Sequence, residues 1–132
     1  MPIKLLIDTP EFAVVTTNMD AMRDFYEHIL GLEYQSKLEF AGGYMHRYQF
    51  GSSVLKLVAY DTAPTQTAIG GEMKAATGYR YCSLVVSNLK EIIAEVAAAG
   101  LSTSEITEFG DGIAFAFVQD PDGNNIEFAG TL

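Results

Sequence analysis

The sequence predicts an α+β domain made of two copies of one strand–helix–three-strand (βαβββ) module. Two segments, beginning at Ala13 and Ser83, share the order apolar strand, Asn, amphipathic helix and Gly-Leu. Each is followed by three strand-like runs, and a stretch rich in Gly, Thr and Ala separates the two halves. Neither half is long enough to bury a stable core alone, so we expect the halves to pair. The predicted first module spans residues 9–60, the linker 61–78 and the second module 79–131.

The two helices are predicted from apolar residues at helical spacing, which give each helix one stripe that faces a sheet. Asn18 and Asn88 precede the helices and are candidate N-caps, because a short amide can accept a hydrogen bond from the first turn. Gly31 and Gly100 follow them, where a left-handed residue often ends a helix. The stripes consist of Met22, Phe25, Tyr26, Ile29 and Leu30 in the first helix and of Leu89, Ile92, Ile93 and Val96 in the second.

The strands that follow each helix are predicted from β-branched, aromatic and alternating residues. They are "EYQSKLEF", "YMHRYQF" and "SVLKLVAY" in the first half, and a weaker "STSEITEF", then "GIAFAFVQ" and "NIEFAG" in the second. Neighbouring side chains on a strand face opposite ways. If Leu55 and Leu57 face the helix, Lys56 faces away, and the same parity turns Glu127 away in the last strand. Phe12 is expected to face the core.

The predicted outward faces of the strands mix polar and apolar residues. A sheet face in water would also be polar, so parity alone leaves a solvated surface open as an interpretation. Small apolar residues and two phenylalanines on the same side favour a half-apolar ligand pocket. The residues assigned to this face are Glu11, Arg47, Gln49, Lys56, Tyr81, Phe115, Phe117 and Glu127.

The composition excludes several classes of protein. The 132 residues carry a formal net charge of −9, which argues against nucleic acid and anionic membranes as partners because both need a basic surface. No apolar run approaches the ~20 residues of a membrane-spanning helix. The single cysteine, Cys82, cannot form an intrachain disulfide and fits a reducing compartment. We therefore expect a cytoplasmic protein.

Two sequence motifs accompany the double repeat. They are "FYEHILGL" in the first half and "DPDGNNIEF" in the second. Together they resemble the vicinal oxygen chelate superfamily, the glyoxalase / bleomycin-resistance / extradiol-dioxygenase group. The resemblance covers about residues 9–130. It implies that each half curls into a partial barrel and that the paired, partly open β-barrel encloses a U-shaped cavity. It also implies a homodimer.

The resemblance further implies a place for a divalent metal, held by His, Gln or Glu from the first and last strands of both halves. Glu11 and Glu127 match two of these positions, and would be the ligands if a metal binds. The other two positions depart from the pattern, with Tyr81 in place of His and Lys56 in place of Glu or Gln. A lysine ligates only when neutral, which costs about 4–5 kcal/mol at neutral pH. We therefore predict no metal cofactor.

Without a metal, the same residues predict a different use of the site. Lys56 between Glu11 and Glu127 would form a charge cluster in the place of the metal, with a structural or a catalytic role. As a catalyst, Glu127 would move a proton while Lys56 stabilises an enolate oxygen, with Glu11 beside it. Tyr81, Arg47, Gln49, Phe115 and Phe117 would contact the substrate. The expected ligand is a small carbonyl-containing or anionic, aromatic molecule.

Several functions from different classes stay open on the sequence. The first is a glyoxalase-like lyase or isomerase with a metal-free centre. The second is a non-catalytic protein that binds and sequesters a small molecule, as the bleomycin-resistance branch does. A metal-dependent lyase is disfavoured by Lys56, and an extradiol dioxygenase by the lack of histidines at the matched positions. Fold alone does not decide the reaction.

Overall fold

The computed structural model describes residues 1–132. The first half contains β1 (Phe12–Val15), α1 (Met19–Arg23), which continues as a π-helical segment (Asp24–Ile29), β2 (Tyr34–Phe40), β3 (Gly43–Phe50) and β4 (Ser53–Tyr60). A single 3₁₀ turn (Met73–Ala75) lies between the halves. The second half contains β5 (Tyr81–Val86), α2 (Leu89–Ala98), β6 (Thr107–Gly110), β7 (Ile113–Gln119) and β8 (Asn125–Thr131). None of the helices is both long enough and apolar enough to cross a membrane.

The strands form two four-stranded sheets of the same topology. Their orders are β1-β4-β3-β2 and β5-β8-β7-β6, with a parallel outer pair and antiparallel hairpins in each. The sheets do not close on themselves. The predicted α+β fold of two βαβββ modules is confirmed, and so is the internal repeat.

One hydrophobic core joins both modules. Helix residues Met22, Phe25, Leu89 and Val96 are fully buried in it, at positions that the helical stripes predicted. The inward strand positions are also as predicted, namely Leu55, Leu57, Ile126 and Phe128. Phe12 differs from its prediction and is 42% exposed. It lies at the start of an edge strand, and its ring is in a T-shaped arrangement with that of Phe50, with 5.9 Å between the centroids.

The helices begin and end where the sequence predicted, but the predicted side-chain capping hydrogen bonds are not formed. Asn18 and Asn88 occupy the N-cap positions, yet neither side chain caps its helix. The Asn88 amide instead donates to Glu91, 3.3 Å away. Gly31 and Gly100 end the helices in the left-handed region as predicted, with φ of +74° and +79°.

The "DPDGN" turn between β7 and β8 joins the two modules. The Tyr26 hydroxyl on the first helix donates to Asp120 Oδ2 at 2.7 Å, and the Thr16 hydroxyl donates to Asp122 Oδ2 at 2.6 Å. Asp120 Oδ1 also accepts the backbone N–H groups of Asp122 and Asn124, each at 3.0 Å. Asp120 is almost completely buried, and this burial raises its pKa. The motif therefore has a structural role in holding the modules together.

Candidate functional site

The outward face of the first sheet carries a compact charge cluster. Arg47 on β3 lies opposite Lys56 on β4, and Glu11 immediately precedes β1. The Lys56 ammonium lies 2.6 Å from Glu11 Oε1, and the Arg47 guanidinium lies 3.7 Å from Glu11 Oε2. The hydrogen bond from Lys56, together with the charges of Lys56 and Arg47, holds the pKa of Glu11 below its ordinary value. One carboxylate thus faces two cations, and the cluster keeps a surplus positive charge.

Gln49 shares the strand face with Arg47 but belongs to a different set of contacts. Its side-chain oxygen accepts a hydrogen bond from Gln35 at 2.9 Å, and its side-chain nitrogen donates to the carbonyl of Gly51 at the hairpin turn. Gln49 therefore borders the cluster of Glu11, Arg47 and Lys56 without a bond to any of the three.

The outward face of the second sheet carries Glu127 among aromatic rings. Glu127 on β8 lies between Ser83 on β5 and Phe117 on β7. The Ser83 hydroxyl donates to Glu127 Oε1 at 2.7 Å. No lysine or arginine nitrogen lies within 4.0 Å of the Glu127 carboxylate. Glu127 is thus a partly exposed carboxylate without an ion-pair partner.

Four aromatic rings form a row across this second face, from β5 to β6. The ring centroids of Tyr81 and Phe117 are 5.3 Å apart, those of Phe117 and Phe115 are 6.1 Å apart, and those of Phe115 and Phe109 are 5.6 Å apart. Phe109 is absent from the predicted site, because an irregularity in the β6–β7 register hides its face from a parity argument. Phe109 could have been predicted from its position in a hairpin whose other strand carries two site phenylalanines.

The structure divides the predicted site between the two sheets. Glu11 and Lys56 are brought together as expected, and Arg47 joins them. Glu127 forms no ion pair with this cluster within one chain: it lies on the second sheet, where its carboxylate accepts a hydrogen bond from Ser83. That Glu127 acts together with Glu11 and Lys56 at one site stays a prediction.

The residues at the family's metal position do not form a metal-binding donor set. Glu11 is already bound by the Lys56 ammonium, whose charge would repel a cation. Arg47 adds a second positive charge on the same face. No three His, Cys, Asp or Glu side chains in the chain are grouped as metal ligands. We derive no chemistry through a metal at these residues.

Two shallow cavities lie beside these faces. One, of about 270 Å³, lies at the end of the second sheet's outward face and includes Phe117 in its wall. The other, of about 260 Å³, lies at the module junction and includes Thr16 and Asp122 in its wall. Phe117 is the single predicted site residue that lines either of them. The charge cluster itself is partly buried in one chain, with 26% of the Lys56 side chain and 21% of the Arg47 side chain exposed.

Comparison with known proteins identifies the family of the chain. The chain matches the family model described as Glyoxalase/Bleomycin resistance protein/Dioxygenase superfamily over residues 9–128. The chain therefore belongs to this superfamily, as its motifs suggested. No curated protein sequence matches the chain closely enough to count as a relative.

Several solved structures share the fold. A glyoxalase family protein from Bacillus cereus superimposes with a TM-score of 0.80 at 18% identity, over 100% of this chain and 99% of the other. The trypanothione-dependent glyoxalase I of Leishmania major gives 0.70 at 21% identity, over 91% and 84%. TnmS3, an antibiotic-binding protein from a Streptomyces species, gives 0.71 at 18%, over 98% and 100%. At these identities the similarity shows the fold, and the fold carries both an enzyme and a binding protein.

Proposed function

We propose that the chain binds a small anionic molecule with an aromatic body, without a metal ion. The observation that carries this proposal is the charge cluster of the first sheet. Lys56 and Arg47 face a single carboxylate, Glu11, in a chain whose net charge is −9. Two cations held together on an acidic protein, on an outward sheet face, are suited to a ligand carboxylate, phenolate or enolate.

The second sheet supplies the complementary apolar contact. The row of Tyr81, Phe117, Phe115 and Phe109 offers ring faces and edges to an aromatic group. Glu127 lies within this surface and can accept a hydrogen bond from an N–H or O–H of the ligand, beside the one from Ser83. In this proposal the anion is bound by the first sheet and the aromatic body by the second.

A homodimer is part of the proposal, because it would bring the two faces together. Apolar side chains on the outward faces are left open in one chain, with Val85 83% and Val15 45% exposed. The first face has two cations and one carboxylate, whereas the second has Glu127. The first sheet of one chain is therefore complementary in charge to the second sheet of its partner. A cytoplasmic location also remains proposed, supported by the single cysteine.

Calorimetric titration with cinnamate, an aromatic carboxylate, tests the binding proposal. We expect cinnamate to bind, and its neutral analogue cinnamyl alcohol to bind about tenfold more weakly, since a charge-assisted hydrogen bond is lost. Lys56→Gln and Arg47→Gln should each weaken cinnamate by about tenfold. Lys37→Gln is the matched control, because it removes one positive charge from an exposed pair with Glu39 elsewhere on the first sheet. Equal binding of the acid and the alcohol, or an equal loss in Lys37→Gln, contradicts the proposal.

Sedimentation velocity tests the homodimer separately. We expect the chain to sediment as a dimer at micromolar concentration and Val85→Asp to sediment as a monomer. The exposed position of Val85 means that the substitution costs the monomer little. A monomeric unmodified chain, or a Val85→Asp variant that stays dimeric, contradicts this arrangement of the two faces.

A second candidate function is acid–base catalysis on a small carbonyl compound, as a glyoxalase-like lyase or isomerase. The observation that favours it is Glu127, an accessible carboxylate that is oriented by Ser83 and has no ion-pair partner. In the proposed dimer, Glu127 of one chain would remove a proton from the carbon beside the carbonyl, while the ammonium of Lys56 of the partner subunit stabilises the enolate oxygen. Exchange of the carbon-bound protons of hydroxyacetone in heavy water, followed by NMR, tests this function. Exchange above buffer that Glu127→Gln abolishes supports catalysis, and its absence leaves binding as the function.

A further inference from the structure

The cavity of about 270 Å³ at the end of the second sheet differs in chemistry from both outward faces. Its wall consists of Gly71, Met73, Ser102, Thr103, Ser104, Phe117, Gln119 and Asn125, and none of these side chains is charged. We propose that this cavity is a subsite for an uncharged amide or hydroxyl group of the bound molecule. The inference rests on the proposed function in one respect, since it takes the outward face of the second sheet as a ligand-binding face.

One wall of the cavity is a segment that we call the linker strap, residues 69–75. The Arg80 guanidinium fixes the strap by donating to three of its carbonyl oxygens, at 2.5 to 3.1 Å. These carbonyls belong to Ile69, Glu72 and Met73. Asn125 on β8 donates from its amide to the Gly71 carbonyl at 2.9 Å. Contacts from both the linker and the sheet therefore hold this wall in place.

The strap also approaches the "DPDGN" turn so closely that a side chain has no room. A Cβ atom on Gly70 would lie 2.4 Å from the carbonyl oxygen of Gly123. The Gly71 N–H donates to the same oxygen at 3.2 Å. The cavity is thus bounded by backbone whose position depends on glycine, rather than by a loop that lies free on the surface.

The cavity presents hydrogen-bonding groups that the protein itself does not use. Thr103 and Gln119 are partly buried, and neither side chain has a hydrogen-bond partner in the chain. By contrast, the Ser104 hydroxyl accepts the Phe117 N–H at 2.8 Å and donates to the Glu105 carbonyl at 3.1 Å. A hydroxyl and a carboxamide together provide donors and acceptors, which suit an amide or an alcohol. None of the lining side chains is charged, so the cavity wall itself offers no ion-pair partner to a charged group.

Size and position make the cavity a subsite rather than a separate binding site. Its volume of about 270 Å³ lies just under the roughly 300–1,000 Å³ of sites that hold a whole drug-sized ligand. Phe117 belongs both to its wall and to the aromatic row, where its ring meets Tyr81. A molecule whose aromatic body lies on the row could therefore place one polar substituent into the cavity.

Three probes of one size and different charge test the inference: propanamide, propanoate and propylammonium. Each is titrated into the unmodified chain while the backbone amide signals are followed by NMR. We expect propanamide to shift the signals of residues 102–104 and Gln119 saturably. The two ions should bind there about tenfold more weakly, because no side chain of the cavity wall can pair with their charge. Thr103→Val, which keeps the shape and removes the hydroxyl, should weaken propanamide about threefold. Gln119→Met is a second variant with the same expectation.

The control variant is Thr107→Val, which makes the same change at an exposed position on β6 outside the cavity. It should leave propanamide binding unchanged. Equal affinity for all three probes, no saturable shift at residues 102–104, or an equal loss in Thr107→Val overturns the subsite. These results are independent of cinnamate binding near Arg47 and Lys56, so a failure of the subsite is distinguishable from a failure of the proposed function.

Discussion

The outward faces of the two sheets differ in chemistry although their strands follow the same pairing. In the first module Lys56 lies between Ala13 and Arg47 on the neighbouring strands. In the second module Glu127 lies between Ser83 and Phe117 in the same arrangement. A lysine and a glutamate thus occupy equivalent positions, as do an arginine and a phenylalanine. One module offers charge and the other offers aromatic surface with a single acid.

The inward faces of the same strands do not differ in this way. Leu55 and Leu57 on β4 correspond to Ile126 and Phe128 on β8, and all four are buried. Packing against a helix requires apolar side chains at these positions in both modules. The outward positions contribute little to the core, so they are free to carry chemically different side chains. The repeat therefore preserves apolar packing on one side of each sheet and differs in chemistry on the other.

The largest expected effect comes from truncating equivalent inward positions. Leu57→Ala should lower the free energy of unfolding by about 2–5 kcal/mol and Phe128→Ala by about 3–5 kcal/mol, because each leaves a cavity in the shared core. Chemical denaturation measures both. If either variant is as stable as the unmodified chain, the stability of that module does not depend on the core. Such a result would contradict the conclusion that the inward faces of the two modules are equivalent.

A smaller effect is expected at the joint that only the second module possesses. Asp120→Ala should lower the free energy of unfolding by about 2–4 kcal/mol, since it leaves the Tyr26 hydroxyl and the turn N–H groups without their acceptor. Asp111→Ala, in the exposed turn between β6 and β7, is the control and should change stability by less than about 0.5 kcal/mol. Equal losses in the two variants would show that Asp120 has no special role in joining the modules.

The smallest effect is a pH dependence confined to the first face. The pKa of Glu11 is lowered in the folded chain by Lys56 and Arg47, so its ion pairs stabilise the fold above the ordinary pKa of 4.5. This stabilisation is lost as the pH falls through the lowered pKa. Glu11→Gln should therefore melt at a lower temperature than the unmodified chain at neutral pH, and the difference should close in acid. Glu108→Gln, on exposed β6 and without an ion pair, should show no such pH-dependent difference. A Glu11→Gln difference that persists unchanged in acid contradicts the account.

The faces of individual strands could be predicted because strand parity is a local property of the backbone. Lys56 and Glu127 lie outward for that reason, and Arg47 follows from the register of a tight hairpin. The separation of Glu127 from Lys56 could not be predicted, because it depends on how the modules pack. That packing includes Tyr26 and Asp120, which are 94 positions apart and give no local signal.

Other features escaped prediction because they break a regular pattern. Phe109 lies beyond a register shift that disrupts the alternation on which parity depends. The helix that begins at Met19 widens into a π-helical segment, and its periodic sequence resembles an ordinary α-helix. Asn88 sits at the predicted N-cap, but its side-chain oxygen accepts no backbone N–H of the first turn, and its side-chain nitrogen donates to Glu91.

A single NMR titration shows whether both outward faces bind one ligand. Cinnamate is added to the unmodified chain, and the backbone amide signals of β3 and β4 are followed together with those of β7 and β8. We expect signals around Arg47 and Lys56 and signals around Phe117 and Glu127 to shift along curves with one shared dissociation constant. Shifts confined to one sheet, or two different dissociation constants, would contradict it.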